Sequence, residues 1–514
     1  MSATATRAAA APGLNRGAIT VCVMLATLMQ ALDPTIANVA LPYIQGSVSA
    51  SQDQITWVLT SYLVAAAITT PATGFLTGRL GLKRVFLISV AGFTVASMLC
   101  GVAQSLVEIV LFRILQGTFG AALVPLSQTV LLNINPKERQ GSAMALWSVA
   151  VMVGPVLGPM LGGWLTSAYT WRYVFYINLP IGIATFVGMS LFLPEAQGSV
   201  KAKLDWFGFA TLGLAVAAFQ VMLDRGEELD WFSSSEIVIE AIVAAAAFYL
   251  FLVQMFTARA PFIRPSLFAD RNFTAGSLFG MSLGMTYYAS MALQPPYLQN
   301  LMNYPVFTAG LVMGPRGLGT MATMMVVGKL INRVDTRLLL GLGLGAVAWS
   351  FYAMTGWTPD VSQFEIISVG VIQGAGLGLM FVPLSVASLA TLAPEARAEG
   401  AGLYTLIRNI GSSAGISMVN SVLTTNTQTN HAEIAAHVSA VNRLFEDPAI
   451  EKFWNPITAA GRAALDAVVT QQAQIIAYID DYKLLLIITV IVLPLLLFFR
   501  KGDAGDQEHS MAVE

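Results

Sequence analysis

The chain contains many apolar stretches that are each long enough to cross a lipid bilayer. A membrane-spanning helix needs about 20 mostly apolar residues. Only 11% of the 514 residues are charged, whereas a soluble domain has roughly 25%. The sequence therefore predicts an all-α integral membrane protein. Fourteen stretches are long enough to span the membrane. They lie near residues 17–42, 55–78, 84–104, 107–131, 141–165, 173–193, 206–223, 236–257, 273–296, 307–328, 337–356, 366–391, 401–424 and 483–500.

The distribution of basic residues tests this count and orients the chain. Short cytoplasmic loops carry an excess of lysine and arginine. If the N-terminus is cytoplasmic and the spans alternate, 18 of the 27 lysines and arginines fall in cytoplasmic segments. A missed span would invert every later loop and destroy this bias. We therefore expect an even number of spans, both termini in the cytoplasm and a multi-pass protein of the cytoplasmic (inner) membrane.

The two ends of the chain carry matching landmarks in the same order. Pro42-Tyr43-Ile44-Gln45 closes the first span, and Pro296-Tyr297-Leu298-Gln299 closes the ninth. Three further pairs of motifs match in the same way. In all four pairs the second motif follows the first by 254 to 258 residues. Because the offset covers an even number of spans, both halves have the same orientation, as in transporters built from parallel repeats.

This repeat predicts the domain organisation. Two six-helix bundles are separated by an extra two-helix hairpin, and the second bundle carries one large external loop. The expected segments are the cytoplasmic N-terminal tail 1–16, the N-terminal bundle 17–193, the hairpin of helices 7 and 8 with its flanking loops 194–272, the C-terminal bundle 273–500 with the external loop 425–482, and the cytoplasmic tail 501–514.

Several motifs resemble those of a known family. Residues 74–84 (GFLTGRLGLKR), 113–117 (RILQG) and 154–163 (GPVLGPMLGG) resemble the loop, fourth-helix and antiporter motifs of the major facilitator superfamily. Residues 32–42, 171–180 and 223–231 resemble the fourteen-helix drug/proton antiporters of the EmrB/QacA type. The resemblance implies a major facilitator fold with 14 transmembrane helices. It also implies a proton-coupled antiporter that exports small amphipathic compounds or drugs by alternating access.

The loop and fifth-helix motifs supply the candidate gating residues. Gly78 stands where many family members have an aspartate that is thought to clasp the other half, so we do not expect that ion-pair latch here. The basic residues of the loop either act in gating or only anchor the topology. The candidates in this loop are Gly74, Gly78, Arg79, Gly81, Lys83 and Arg84.

The fifth span has a glycine face. Residues four apart are stacked neighbours on a helix, and small residues let helices approach closely. Prolines add a site for a kink. Tight packing alone explains this pattern, whereas the resemblance implies a bendable helix that makes transport an exchange rather than a leak. The residues concerned are Gly154, Pro155, Gly158, Pro159 and Gly162.

Asp33 is the only carboxylate in the first span. A charged side chain at the centre of a bilayer costs about 3 kcal/mol or more, so it must be protonated, paired or in contact with water. Arg113 lies within the fourth span at a comparable depth, about 9 Å from the outer end against about 13 Å for Asp33. A nearby cation favours the ionised acid, and burial favours the protonated acid. We predict that Asp33 and Arg113 couple transport to protons; a static ion pair is the alternative.

The substrate cavity is expected between the two halves. Spans nine to twelve contain no interior acid, which favours neutral or anionic amphiphiles as substrates. For Arg316 and Arg408, snorkelling toward the nearer surface is the alternative. Ordinary helix packing is the alternative for the aromatic residues and methionines of span nine. The candidate lining residues are Gln30, Asn38, Gln116, Tyr287, Tyr288, Met291, Arg316 and Arg408.

The sequence contains few features that indicate a cofactor, a metal, a nucleic acid or another class of function. We expect no cofactor because no phosphate-binding Gly-x-x-x-x-Gly-Lys-Ser/Thr loop occurs. We expect no metal because no cysteine or third histidine lies near His431 and His437. A net charge of −2 gives no indication of nucleic-acid binding.

The resemblance implies a periplasmic membrane-fusion adaptor and an outer-membrane channel as partners, docked at 425–482. A dedicated exporter of one metabolite, siderophore or antibiotic, a membrane receptor and a membrane-embedded enzyme are the alternatives; we do not expect an enzyme.

Overall fold

The computed structural model describes residues 15–195, 205–331, 333–393, 396–438, 454 and 458–499, and the regular structure in these ranges is helical throughout. This agrees with the predicted all-α class. The long helical segments are, in chain order, α1 (Arg16–Val48), α2 (Gln54–Leu80), α3 (Leu82–Val102), α4 (Leu106–Ile134), α5 (Lys137–Ala168), α6 (Tyr173–Phe192), α7 (Trp206–Arg225), α8 (Ser235–Thr257), α9 (Arg271–Pro296), α10 (Val306–Leu330), α11 (Thr336–Met354), α12 (Gln363–Ala390), α13 (Arg397–Ala436) and α14 (Ala459–Phe498).

Ten of these segments are long and apolar enough to cross a membrane. The other four, α5, α9, α10 and α13, are 25 to 40 residues long. They carry more glycine and polar residues, which lowers their hydropathy. The prediction of fourteen crossings therefore stays a prediction for these four helices.

Local sequence sets the helix ends. Ser105, Asp270 and Ser362 each accept a hydrogen bond from the backbone N–H three residues later, at 3.3, 2.8 and 3.2 Å. Such caps satisfy backbone donors that the first turn of a helix leaves free. Gly81 separates α2 from α3 with φ of 87°, a conformation that glycine adopts without the steric penalty of a side chain.

The helices form two groups with the same internal pairing. In the first group α1 packs on α5 and α2 on α4, and in the second α9 packs on α13 and α10 on α12. The helices α7 and α8 pack on each other and lie between the groups. Thr60 of α2 donates to Asp224 of α7 at 2.9 Å, and Gln220 of α7 donates to Ser413 of α13 at 2.8 Å. The hairpin thus contacts both groups.

The two groups touch each other at the side of the molecule where α1 begins, which we call the N face. There α5 meets α10: a side chain added at Gly328 would place its Cβ 2.5 Å from Cβ of Ala145. Ser142 also donates to the carbonyl oxygen of Gly328 at 3.2 Å. Close backbone approach of this kind requires glycine.

A second contact at the N face joins the end of α2 to the start of α13. A Cβ added at Gly74 would lie 2.6 Å from Cα of Glu399, and one at Gly402 would lie 2.9 Å from the carbonyl oxygen of Thr70. Toward the opposite face, which we call the exit face, α5 and α10 carry glycines without close neighbours. No described atom lies within 4 Å of a Cβ added at Gly163, Gly310 or Gly314. The conformation is therefore closed at the N face.

The expected loop 425–482 is helical at both of its ends. The helix α13 continues to Ala436, and α14 begins at Ala459. Asn426 donates to Asp480 at 3.4 Å, and His431 lies 3.0 Å from Asp466, so the two extensions pair with each other. Residues 439–453 and 455–457 of this segment lie outside the described residues.

The closed N face yields a test with a matched control on one helix. We expect Gly328→Leu to force α10 away from α5, whereas Gly310→Leu adds the same side chain where nothing lies within 4 Å. The reporter is Ala143→Cys, a buried position in α5, with Cys22 and Cys100 replaced by serine. A maleimide should label this cysteine severalfold faster in Gly328→Leu than in Gly310→Leu. Equal labelling rates would contradict the described contact.

Candidate functional site

The side chain of Asp33 is enclosed inside the first group of helices. It lies in the middle of α1 and is only 2% exposed. Nη1 of the fully buried Arg113 of α4 donates to Oδ2 of the carboxylate. Nε2 of Gln116 donates to Oδ1 at 2.6 Å, and Nδ2 of Asn178 donates to the same oxygen at 3.3 Å. Three side-chain donors thus converge on one carboxylate.

Arg113 is held in place by contacts on several sides. Its Nε donates to the carbonyl oxygen of Val58 in α2 at 2.9 Å, and Nη1 donates to Oε1 of Gln116 at 2.8 Å. The guanidinium carbon lies 4.2 Å from the ring centroid of Tyr62, within the range of a cation–π contact. A planar guanidinium carries five donors in a fixed arrangement. These contacts therefore fix the direction in which the group faces Asp33.

A second layer of contacts positions the amide of Asn178. Its Nδ2 also donates to Oγ of Ser97 in α3 at 2.9 Å, and Ser97 donates to the carbonyl oxygen of Phe175 at 2.9 Å. Asn178 begins the regular part of α6, directly after the short turn Tyr173–Tyr176. The helices α3 and α6 therefore contribute to a site that the sequence had assigned to α1 and α4 alone.

This arrangement suits an ionised carboxylate. An ionised carboxylate only accepts hydrogen bonds, and bonds from a charged donor are roughly twice as strong as neutral ones. Asp33, Arg113, Gln116 and Asn178 are all buried, so bulk water does not reach them in this conformation. Protonation would neutralise the acid and remove the attraction that holds Arg113 against it.

The glycine face of α5 packs directly beside this site. A Cβ added at Gly162 would lie 3.1 Å from the carbonyl oxygen of Ile36, and one at Gly158 would collide with Oγ1 of Thr35. Oγ1 of Thr35 donates to the carbonyl oxygen of Gly154 at 3.2 Å. The antiporter-like motif therefore meets α1 within three residues of Asp33. The side chains of Pro155 and Pro159 lie outside the described part of the structure.

The loop motif lies at the N face and serves several local contacts. Nζ of Lys83 donates to the carbonyl oxygen of Ser190 near the end of α6 at 2.7 Å. Gly78 is half-buried, and Arg79 and Arg84 are exposed.

One acid that contacts the loop motif comes from the other half of the molecule. Gly74 packs on Glu399 of α13, whose Oε2 lies 2.6 Å from Nη2 of Arg264. Glu399 is thus paired within the contact between the halves, and the sequence prediction had not singled it out.

The second group contains a related polar cluster, which has no acid among the residues that the structure describes. Nη1 of Arg316 in α10 donates to Oγ of Ser290 at 3.2 Å and to Oε1 of Gln294 at 3.1 Å. Its guanidinium carbon lies 5.0 Å from the ring of Tyr287, the residue that the repeat aligns with Asp33. Among the described residues, Arg316 forms no ion pair. The second half therefore carries a buried cation where the first half carries a neutralised pair.

Two contacts connect the halves near the middle of the molecule. Trp147 of α5 stacks on Phe381 of α12 with ring centroids 6.2 Å apart, and its Nε1 donates to Oγ1 of Thr27 at 2.9 Å. The guanidinium carbon of Arg408 lies 5.6 Å from the ring centroid of Phe381. The hydroxyl of Tyr287 donates to Sδ of Met152 at 3.6 Å. These contacts close the space between the halves on the N-face side.

The residues that were predicted to line the substrate cavity do not all lie together in the structure. Gln116, expected to line the substrate cavity, is fully buried against Asp33 instead. Asn38 is exposed and Gln30 is half-buried, and neither forms a described hydrogen bond to Asp33. Tyr288 packs edge-on to Tyr287 with centroids 5.1 Å apart, and Met291 is half-buried.

The sequence prediction missed Asn178 and Ser97 as members of the Asp33 site. A signal existed for Asn178, since it belongs to the motif at 171–180.

Comparison with known proteins identifies the family. The sequence profile described as Major Facilitator Superfamily matches residues 23–416. The chain is a member of the major facilitator superfamily. The resemblance seen in its motifs is confirmed by this match.

Curated relatives cover nearly the whole chain. The fatty acid resistance protein FarB of Neisseria gonorrhoeae is 34% identical over 494 residues, which is 95% of this chain and 97% of the relative. The multidrug export protein EmrB of Escherichia coli K12 is 34% identical over 504 residues, which is 96% of this chain and 97% of the relative. Both have nearly the same length and extent as this chain.

Solved structures share the fold at low sequence identity. The human organic anion transporter MFSD10 superposes with a TM-score of 0.57 at 15% identity, covering 92% of this chain and 99% of the other. A bacterial homologue of the human lysosomal transporter Spinster gives 0.54 at 16% identity, covering 95% and 99%. The major facilitator fold predicted from the motifs is thereby confirmed.

The packing of α5 on α1 gives a prediction with a control in the same helix. Gly158→Ala would place a methyl group against Thr35, whereas Gly163→Ala adds it where no described atom lies within 4 Å. Overpacking costs about 1–3 kcal/mol, so the first variant should unfold at a clearly lower temperature than the second. Thermal unfolding of the two purified variants, followed by size-exclusion fluorescence, measures this difference. Equal midpoints would show that the helices are not in tight contact there.

Proposed function

We propose that this protein is a proton-coupled antiporter that exports small amphipathic compounds or drugs across the cytoplasmic membrane by alternating access. The observation that carries the proposal is the Asp33 site. A buried carboxylate is paired with Arg113 directly beside the seam between α1 and the glycine face of α5. The relatives named for multidrug export and for fatty acid resistance support the transport of foreign or toxic amphiphiles.

The proposed orientation follows from the basic residues. Arg79, Lys83 and Arg84 lie at the N face, and loops rich in lysine and arginine stay in the cytoplasm. On this assignment both termini are cytoplasmic, and the exit face is periplasmic or extracellular. The conformation described above is then closed toward the cytoplasm and open outward.

The proposed cycle exchanges a proton for a substrate. With the exit face open, a local loosening of the otherwise enclosed site lets Asp33 accept a proton from outside, and the neutral acid no longer attracts Arg113. The packing contact between α1 and α5 can then shift. The two halves of the protein, 17–193 and 273–500, rock about the central cavity. With the N face open, Asp33 releases its proton to the less acidic cytoplasm, and substrate enters. The hairpin of 194–272 follows this motion through its contacts with α2 and α13.

The charge of the second half suggests the substrate class. Arg316 and Arg408 are both buried, and neither forms an ion pair among the described residues. A buried cation without a counter-charge is costly, and an anionic substrate would supply that charge. We therefore propose neutral or anionic amphiphiles, whose apolar part contacts Tyr287, Tyr288 and Met291.

The paired extensions of α13 and α14 offer a docking surface for other proteins. They continue as helices through residues 425–436 and 459–482, beyond the apolar stretches of the sequence. We propose that a periplasmic membrane-fusion adaptor, joined to an outer-membrane channel, binds these extensions.

The proton-coupling role predicts the behaviour of one conservative variant. Asp33→Asn keeps the size of the side chain but cannot exchange a proton, so export driven by a pH gradient should fall to background. Substrate counterflow without a gradient should persist, because the cavity and the fold remain. Everted vesicles with an imposed pH gradient and a panel of charged and neutral drugs provide the measurement.

The matched control removes an acid of the same bundle outside the site. Glu108 is exposed and accepts a hydrogen bond from the backbone of Gln104 at 2.8 Å. Glu108→Gln should retain pH-driven export. Undiminished, proton-coupled export by Asp33→Asn would remove the proposed role of this residue.

The substrate class predicts a selective effect of Arg316→Gln. Loss of the buried cation should raise the KM for an anionic amphiphile at least about tenfold, equivalent to about 1.4 kcal/mol. The KM of the same variant for a neutral compound is the internal control and should change little. Strong, Asp33-dependent export of a dicationic dye by the native protein would contradict the proposed preference.

A further inference from the structure

A cavity of about 680 Å³ lies between the hairpin of α7 and α8 and the second helix group, away from the Asp33 site. The helix α7 packs on α8 and on α13, and α13 packs on α9. Among the described residues α8 and α9 make no extensive contact with each other, so the cavity opens on the side between them. Ligand pockets in proteins occupy about 300–1,000 Å³. The space is therefore large enough for a specific ligand.

The chemistry of the cavity wall limits what can occupy it. Every described side chain that lines the cavity is apolar, and most of them belong to α7, α8 and α13. The helices α7 and α8 are long and apolar enough to cross a membrane, so the open side faces the hydrocarbon of the bilayer. Apolar cavities stay free of water and bind apolar molecules. Hydrocarbon is therefore the chemistry that fits this site.

The cavity is elongated along the helices. Its wall runs from Phe232, in the turn between α7 and α8 near the exit face, to Ile263 and Phe268, in the connection between α8 and α9 near the N face. Along α8 it extends from Ala241 to Met255, which is about 21 Å at 1.5 Å per residue. One leaflet takes up about half of the ~30 Å hydrocarbon core. A whole acyl chain of one leaflet can therefore lie along the cavity.

The two ends of the cavity differ in charge. The turn 226–234 at the exit-face end carries three acids and no lysine or arginine. The connection 258–270 at the N-face end carries Arg259 and Arg264, both exposed, and its one acid, Asp270, caps α9. Arg264 pairs with Glu399, whereas Arg259 forms no ion pair among the described residues. A negatively charged headgroup is therefore repelled at the exit-face end and attracted at the N-face end.

The cavity is separated from the central space between the halves. Leu403, Leu406 and Ile410 line the cavity from one face of α13, whereas helical periodicity turns Arg408 away from that face, toward Phe381. The helices α9 and α13 are in close contact behind the wall, since a Cβ added at Gly284 would lie 2.5 Å from the carbonyl oxygen of Arg408. A molecule in the cavity is therefore outside the path that we propose for exported compounds.

We propose that this cavity binds one acyl chain of an anionic phospholipid from the leaflet at the N face, with the phosphate beside Arg259. The chain fills the space between the helix pairs α7–α8 and α9–α13 and so holds the hairpin against the second helix group. The lipid is a resident part of the protein and not an exported compound. The proposal depends on the membrane location of these helices and not on the export cycle proposed above.

The test uses two adjacent alanines of α8. Ala245 lines the cavity, whereas Ala246 does not, and both side chains are exposed. In Ala245→Trp the indole occupies part of the cavity and removes apolar contact with the chain, so binding should be at least about tenfold weaker. Ala246→Trp is the matched control and should bind like the native protein.

Native mass spectrometry of the full-length protein, delipidated and then titrated with phosphatidylglycerol, measures the affinity. We expect one tightly bound lipid in the native protein. Arg259→Gln should weaken this binding severalfold, because the variant removes the positive charge beside the phosphate. Oleate, which has a single chain and a carboxylate but no phosphate, stands for an exported amphiphile and should not displace the phospholipid at equal concentration.

Three results would each overturn the proposal: equal affinity of Ala245→Trp and the native protein, unchanged affinity in Arg259→Gln, or displacement of the phospholipid by oleate. The last result would assign the cavity to compounds in transit. None of them touches the proposed proton coupling, which fails only if Asp33→Asn still couples transport to protons.

A second measurement uses the native chain and so does not depend on the folding of a variant. Phosphatidylglycerol with a diazirine in its acyl chain is photolysed in liposomes that contain the protein, and mass spectrometry locates the adducts. We expect adducts at Phe251 and Met255, which line the cavity and are only 5% and 7% exposed. Adducts confined to Tyr249 and Phe256, which are exposed and lie outside the cavity wall, would also reject the proposal.

Discussion

The structure of the first half depends on satisfying the hydrogen-bonding groups of one buried carboxylate inside a membrane-spanning bundle. Asp33 achieves this with a guanidinium and two amides, drawn from α4 and α6. Each donor is itself held by a further contact, so the site is rigid in the described conformation. The same enclosure makes the site sensitive, because removing the charge of Asp33 leaves Arg113 buried without its partner. A local proton transfer can therefore destabilise the packing of several helices at once.

The position of the glycine face explains how such a transfer would reach the rest of the molecule. Gly154, Gly158 and Gly162 bring α5 against α1 beside the acid. At its other end α5 forms the closed contact with α10 through Ser142 and Gly328. One helix thus links the charged site to the interface between the halves. Among the described residues, Arg316 of the second half has no acidic partner, and we propose that it serves substrate binding instead.

The sequence predicted the fold and the central pair for clear physical reasons. Hydropathy reports immersion in a bilayer, and simple helix geometry placed Asp33 and Arg113 at similar depths. Hydropathy does not report where a helix ends: α13 and α14 continue through polar residues that still favour helix, beyond the span ends predicted at 424 and 483. The direction in which a side chain points could not be predicted from the sequence either. Asn178 stands in a recognised motif, but its approach to Asp33 depends on how α6 turns after Tyr176.

The central claim is that Asp33 is ionised when paired with Arg113 and takes up a proton during the cycle. Infrared difference spectroscopy of the purified protein, recorded on addition of substrate, tests it most directly. The account predicts the loss of a protonated-carboxyl band, with gain of a carboxylate band, and the absence of both changes in Asp33→Asn. The same difference bands in the variant would contradict the claim, as would a native protein in which substrate changes no carboxyl group.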